Sequence, residues 1–111
     1  SITGADLMLA VAEPTVSGKS DLGRALKVAG HFGVRALVCV NQYDLHEPTA
    51  REVERMAEDM GAEPIGRIPY DPEVIRATVE GLPVAAVSDG PAARAMEEVF
   101  GRVMEHLNSG A

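Results

Sequence analysis

Asn41-Gln42-Tyr43-Asp44 is the stretch whose residue types and spacing come closest to ligand chemistry. A carboxamide both donates and accepts, which suits the edge of a purine ring. A second stretch, Ile68-Pro69-Tyr70-Asp71-Pro72, is stiffened by its prolines and offers backbone groups to a flat ligand. A third, Ser17-Gly18-Lys19-Ser20, sets a glycine and a lysine between hydroxyls, the ingredients of an anion site. Each has a plainer reading as well. The first fits an Asx-type turn after a strand, the second a helix-entry turn, and the third a helix-start loop with an exposed lysine.

Gly18-Lys19-Ser20 ends as a Walker A loop ends, but that motif needs a glycine five residues before Gly18, where Glu13 stands. Without that glycine the backbone N–H groups do not curl round phosphates, and a carboxylate there repels them. No phosphate loop is expected. Asn41 and Asp44 keep the order of the Asn-Lys-x-Asp base-reading motif of GTPases, with Gln42 in place of the lysine whose stem packs along the ring. Asp44 then either specifies guanine or closes a turn. His31, His46 and His106 have no histidine partner at helical spacing, so they read as exposed residues near helix ends and not as metal ligands. Met56, Met60, Met96 and Met104 read as core or helix-face residues, and Glu97-Glu98 as a solvated face. Spacing supports neither a Ser–His–Asp nor a Cys–His arrangement, so no catalytic residue is assigned.

These groups need elements to hold them. Residues 5–12 and 35–41 are apolar runs with β-branched members, the habit of strands buried on both faces of a parallel sheet. A shorter strand is expected over 63–69, between prolines. Ser20 is a candidate cap for a helix to about His31, with Leu22, Ala25, Leu26, Val28, Ala29 and Phe32 at helical spacing and Gly33 as its C-cap. Residues 49–60 form a second helix, bounded by Pro48 and Gly61 and carrying Val53, Met56, Ala57 and Met60 on one stripe. Asp71-Pro72 opens a short helix to Glu80, residues 82–84 are extended, and a last helix over about 92–107 turns Ala95, Val99, Phe100, Val103 and Leu107 inward. Strand and helix alternate throughout. The expected fold is α/β, a three-layer parallel sheet with flanking helices, and its three strands make half of a doubly wound sheet. Ligands of such sheets bind outside the carboxyl ends of the strands, where Asn41 and the 68–72 loop fall together.

The totals agree. A chain of 111 residues, 46% hydrophobic and 24% charged, is one globular α/β domain or part of one. Its net charge of -7 argues against nucleic acid or an anionic membrane as the main partner. The single Cys39 excludes an internal disulfide and an all-cysteine cluster site, and its place in an apolar run reads as core. A cytoplasmic setting fits. No run approaches membrane-spanning length. The start at Ser1-Ile2-Thr3 reads as the boundary of an excised piece of a longer protein.

Four segments in register carry a family resemblance: Val11-Ala12-Glu13-Pro14-Thr15-Val16-Ser17 with Asp21 and Arg24; Val40-Asn41-Gln42-Tyr43-Asp44-Leu45; Gly66-Arg67-Ile68-Pro69-Tyr70-Asp71; and Glu80-Gly81-Leu82-Pro83. Together they resemble the carboxyl-terminal half of the MinD/Mrp/ParA class of P-loop ATPases. Within it the match is to the MinD-like branch with an inserted ferredoxin domain, named for the cobyrinic acid a,c-diamide synthase-type nucleotide-binding domain. The resemblance implies an adenine nucleotide, ATP or ADP, with Asn41 on the base and Asp44 near it, and Pro69, Tyr70 and Asp71 holding the other side of the ring. It implies that Ser17, Asp21 and Arg24 lie near the face meeting a second subunit of a homodimer. The Walker A lysine, the magnesium ligands and the cysteines of an iron–sulfur cluster have no counterpart here, so this chain alone is expected not to hydrolyse ATP. A stand-alone interaction or regulatory domain that has lost nucleotide binding is the alternative. An amidotransferase-type synthetase would rest on the family label alone, since Cys39 is expected to be buried.

Overall fold

In the computed structural model residues 7–72 and 90–109 are described. Strand β1 (Leu7–Ala12) leads into helix α1 (Val16–Phe32), strand β2 (Arg35–Asn41), a short 3-10 turn (Tyr43–Leu45), helix α2 (Glu47–Asp59) and strand β3 (Glu63–Ile68); helix α3 (Pro91–Ser109) follows. The sheet is parallel throughout in the order β1-β2-β3. Ala12 pairs with Val40 and Asn41 with Ile68, which brings the carboxyl ends of the strands to one edge. The three-layer α/β architecture is as expected.

The side-chain alternation of the central strand builds both outer layers. Ala36, Val38 and Val40 face α1 and α2, packing with Leu22, Leu26, Val53 and Ala57. Leu37 and Cys39 face the other way, toward Val99 and Ala92 of α3. Leu37, Val38, Cys39 and Val40 are fully buried, which is why the sequence of β2 is an unbroken apolar run. Between β2 and β3 the register slips: Val38 faces Pro64 and Cys39 faces Gly66, with Ile65 passed over. Pro64 has no N–H to give to a ladder, and a bulge is where a strand tolerates it.

Some expectations need correction. Helix α1 is capped by Thr15, whose hydroxyl accepts from the Gly18 N–H at 2.9 Å, and not by Ser20, which lies inside the helix. The earlier start requires glycine at position 18, since a Cβ there would stand 2.4 Å from the Glu13 carbonyl oxygen. The helix does end on Gly33, at φ 70. Val28 and Phe32, expected on its inner stripe, are exposed. Helix α2 begins at Glu47, two residues early, because the His46 ring caps it: Nδ1 accepts from Thr49 N at 3.2 Å. In α3, Val99 is buried and Ala95 and Val103 pack against the core, but Phe100 and Leu107 are exposed. The expected helix beyond Pro72, the extended 82–84 segment and the motif at 80–83 lie outside the described residues.

Candidate functional site

The edge formed by the carboxyl ends of β2 and β3 gathers the groups singled out at 41–44 and 69–71. Asn41 is the last residue of β2, half-buried and paired with Ile68. Straight after it Gln42 takes a left-handed conformation, φ 54 and ψ 39, which turns the chain sharply off the sheet. Leu45 N closes the turn on the Gln42 carbonyl at 3.0 Å. Among the described residues the Asn41 carboxamide has no hydrogen-bond partner.

Three contacts fix the turn. The Tyr43 ring packs against the α1–α2 core, with the Arg67 guanidinium 5.3 Å from its centroid. Arg67 makes a two-pronged bond to Glu54 of α2, Nε to Oε2 at 2.9 Å and Nη2 to Oε1 at 2.7 Å. Those hydrogen bonds, helped by the carboxylate's charge, raise the Arg67 pKa above its usual range despite partial desolvation. Asp44 then reaches across to the second loop, its Oδ1 accepting from the Tyr70 backbone N–H at 2.7 Å. The two loops are 26 residues apart in sequence and are joined by this bond.

Asp71 reaches the start of α3. Its carboxyl group is buried, with Oδ2 3.4 Å from Ala92 N at the start of α3, where the unpaired N–H groups of a helix welcome a carboxylate. Pro69 is half-buried and Tyr70 exposed. Beside Asn41 a slot of about 140 Å³ opens between the sheet and α3, lined by Val11, Cys39, Ile68, Met96 and Phe100. Cys39 offers no nucleophile there: burial, and secondarily the charge of Glu54, pushes its thiol up to about 11.

The other candidates sit elsewhere. Ser17, Asp21 and Arg24 are exposed on the first turns of α1; Arg24 pairs with Asp21 and bonds Ser20 Oγ at 3.1 Å. Ser17 and Asp21 line a groove between α1 and β1, whereas Arg24 borders the groove between α1 and α2. Lys19 lies 3.6 Å from Glu52, and the Ser17–Ser20 stretch is helix and not a phosphate-cradling loop. His106, expected to be exposed, has a side chain only 18% accessible; its ring lies 2.7 Å from a Glu63 oxygen and 2.8 Å from the Arg102 carbonyl. Among the described residues no group of three or more His, Cys, Asp or Glu comes together as metal ligands, and no helix is long and apolar enough to cross a membrane. Glu54, Arg67 and Tyr43 are the positioning residues that sequence reasoning missed. Nothing in the spacing pairs Glu54 with Arg67, thirteen residues apart on a helix and a strand.

No protein-family model matches the sequence. An ATP-binding protein of Methanocaldococcus jannaschii is 30% identical over 109 residues, which cover 98% of this chain and 42% of that protein. The MinD cell division protein of Aquifex aeolicus aligns in structure with a TM-score of 0.72 and 27% identity, over 90% of this chain and 44% of its own. The MinC:MinD complex from the same organism aligns at 0.71 and 30% identity, over 90% and 43%. The Pyrococcus furiosus cell division ATPase MinD, 23% identical with a TM-score of 0.72, shares the fold. The chain therefore has the α/β fold of part of a MinD-type P-loop NTPase. It spans less than half the length of the relatives it matches.

Proposed function

We propose that this chain is the adenine-binding and subunit-contact portion of a MinD/Mrp-like ATPase, and that it carries no catalytic residue itself. One observation carries the reading: the Asp44–Tyr70 bond holds the 69–71 loop against the strand end where the Asn41 carboxamide has no hydrogen-bond partner among the described residues. An asparagine matches adenine in both directions, its NH2 donating to N7 and its oxygen accepting from the 6-amino group. The guanine alternative needs both carboxylate oxygens, one for N1–H and one for the 2-amino group, and Oδ1 of Asp44 is taken by Tyr70 N. The exposed hydroxyl, carboxylate and guanidinium of Ser17, Asp21 and Arg24 support a contact with a second subunit, in a homodimer of the parent.

The phosphate half of the nucleotide site does not fit the residues present. Gly18 is pressed against the Glu13 carbonyl and Lys19 is turned to Glu52, so magnesium and phosphate ligands belong to other parts of the parent. One buried cysteine with a raised pKa does not fit an iron–sulfur cluster either. An inserted ferredoxin domain in the parent rests on the sequence motifs alone. The test is calorimetric titration of the full chain with ATP, ADP and GTP. ATP and ADP are expected to bind and GTP to bind poorly, with Asn41→Ala weakening ATP about tenfold through loss of two hydrogen bonds. Wild-type affinity in Asn41→Ala would overturn the assignment. No nucleotide binding at all would favour a stand-alone interaction domain.

A further inference from the structure

We propose that Asp44 is a specificity-determining positioning residue: by occupying the Tyr70 N–H it removes a donor from the 69–71 loop and so tunes the site to adenine. The inference rests on the adenine reading above and concerns a residue that does not itself touch the base.

The argument begins with what the loop offers a ligand. Pro69 and Pro72 have no N–H, so Tyr70 and Asp71 supply its backbone donors. The Tyr70 N–H is taken by Asp44 Oδ1 at 2.7 Å, the short separation of a charge-assisted bond. At residues 69 and 70 the loop therefore presents carbonyl oxygens and no available N–H. A carbonyl edge welcomes the 6-amino group of adenine and is repelled by the 6-oxo group of guanine, since two acceptors face each other.

Asp44 can hold the Tyr70 N–H because its own position is fixed. It lies on a turn whose preceding residue, Tyr43, is packed into the α1–α2 core under Arg67, and Arg67 is anchored by both oxygens of Glu54. Asp44 is exposed, yet its backbone is held from β2, β3 and α2 together. Cutting the Asp44 side chain leaves that frame standing and changes two things only: the 69–71 loop loses its tie, and the Tyr70 N–H becomes a donor that a guanine 6-oxo group can use.

The experiment compares wild type, Asp44→Ala and Asp44→Asn in the full chain, titrated with ATP and GTP, with amide hydrogen exchange read at Tyr70. Asp44→Ala is expected to lose protection at Tyr70 and to lower the ATP-to-GTP preference about tenfold, the worth of the one neutral hydrogen bond that guanine gains from the freed Tyr70 N–H. Asp44→Asn keeps an accepting oxygen at the same atom, so it is expected to restore both the protection and most of the preference. A purely structural role would lower thermal stability in both variants and leave the base preference alone. An unchanged preference in Asp44→Ala, or unchanged exchange at Tyr70, overturns the proposal while ATP binding that depends on Asn41 still stands. A wild type that prefers GTP would show Asp44 reading guanine directly and overturns it too. Absence of nucleotide binding by the wild type removes the adenine reading and this inference with it.

Discussion

Cys39 shows how a single side chain reports its surroundings. Its thiol has no access to solvent, and burial with the nearby Glu54 charge raises its pKa from 9.0 to about 11. Linkage then has a definite sign. The unfolded thiol loses its proton first as pH rises through 9.0, so the unfolded state binds fewer protons and stability falls across the window up to about 11. Urea unfolding at a series of alkaline pH values is expected to show a loss of roughly 2 to 3 kcal/mol from this group, absent in Cys39→Ala. At this scale the sequence was partly legible. Asn41 and Asp44 announce themselves by type and spacing, and Cys39 by the apolar run around it. Glu54 and Arg67 do not, because an ion pair across a helix and a strand leaves no periodic trace. Nor does spacing show that Asp44 bonds a backbone group of the next loop.

Elements were easier to read than their ends and faces. Strands β1 and β2 follow from uninterrupted apolar residues, and Gly33 from its left-handed cap. The start of α1 is ambiguous in the sequence because Ser20 and Thr15 are both good caps, and only the close approach of Gly18 to Glu13 decides between them. The stripe of α3 is only partly legible because periodicity says which residues share a face, not how far the sheet beneath extends. Val99 lies over β3, where Gly66 makes room: a Cβ there would meet Val99 Cγ2 at 2.7 Å. Phe100, one residue on, borders the slot between the sheet and α3 and is exposed. Gly66→Ala is expected to cost about 1 to 3 kcal/mol by overpacking. In a double-mutant cycle with Val99→Ala the two changes should be less than additive, since the smaller side chain vacates the space. Strict additivity in denaturant unfolding would contradict this account of the β3–α3 contact.

At the scale of the whole chain, β1 has one strand neighbour among the described residues, and its Val11 is 58% exposed, with Phe100 of α3 at 59%. A strand edge with apolar side chains invites further pairing. The isolated 111-residue chain is expected to self-associate, more so at high salt, where the repulsion of its -7 net charge is screened. Light scattering across concentration and ionic strength reads this, and a strict monomer throughout would contradict it. The parallel three-layer architecture was legible in the sequence because alternating strands and helices admit few arrangements.

Nuclear magnetic resonance of the full chain, labelled with 15N-asparagine and 15N-tyrosine and titrated with ADP, tests the central claim most directly. The account expects the Asn41 side-chain amide to shift with occupancy and the Tyr70 backbone amide with it, and the Tyr70 shift to need about tenfold more ADP in Asn41→Ala. Saturable ADP binding that leaves the Asn41 and Tyr70 signals unmoved would place the base elsewhere and contradict the account.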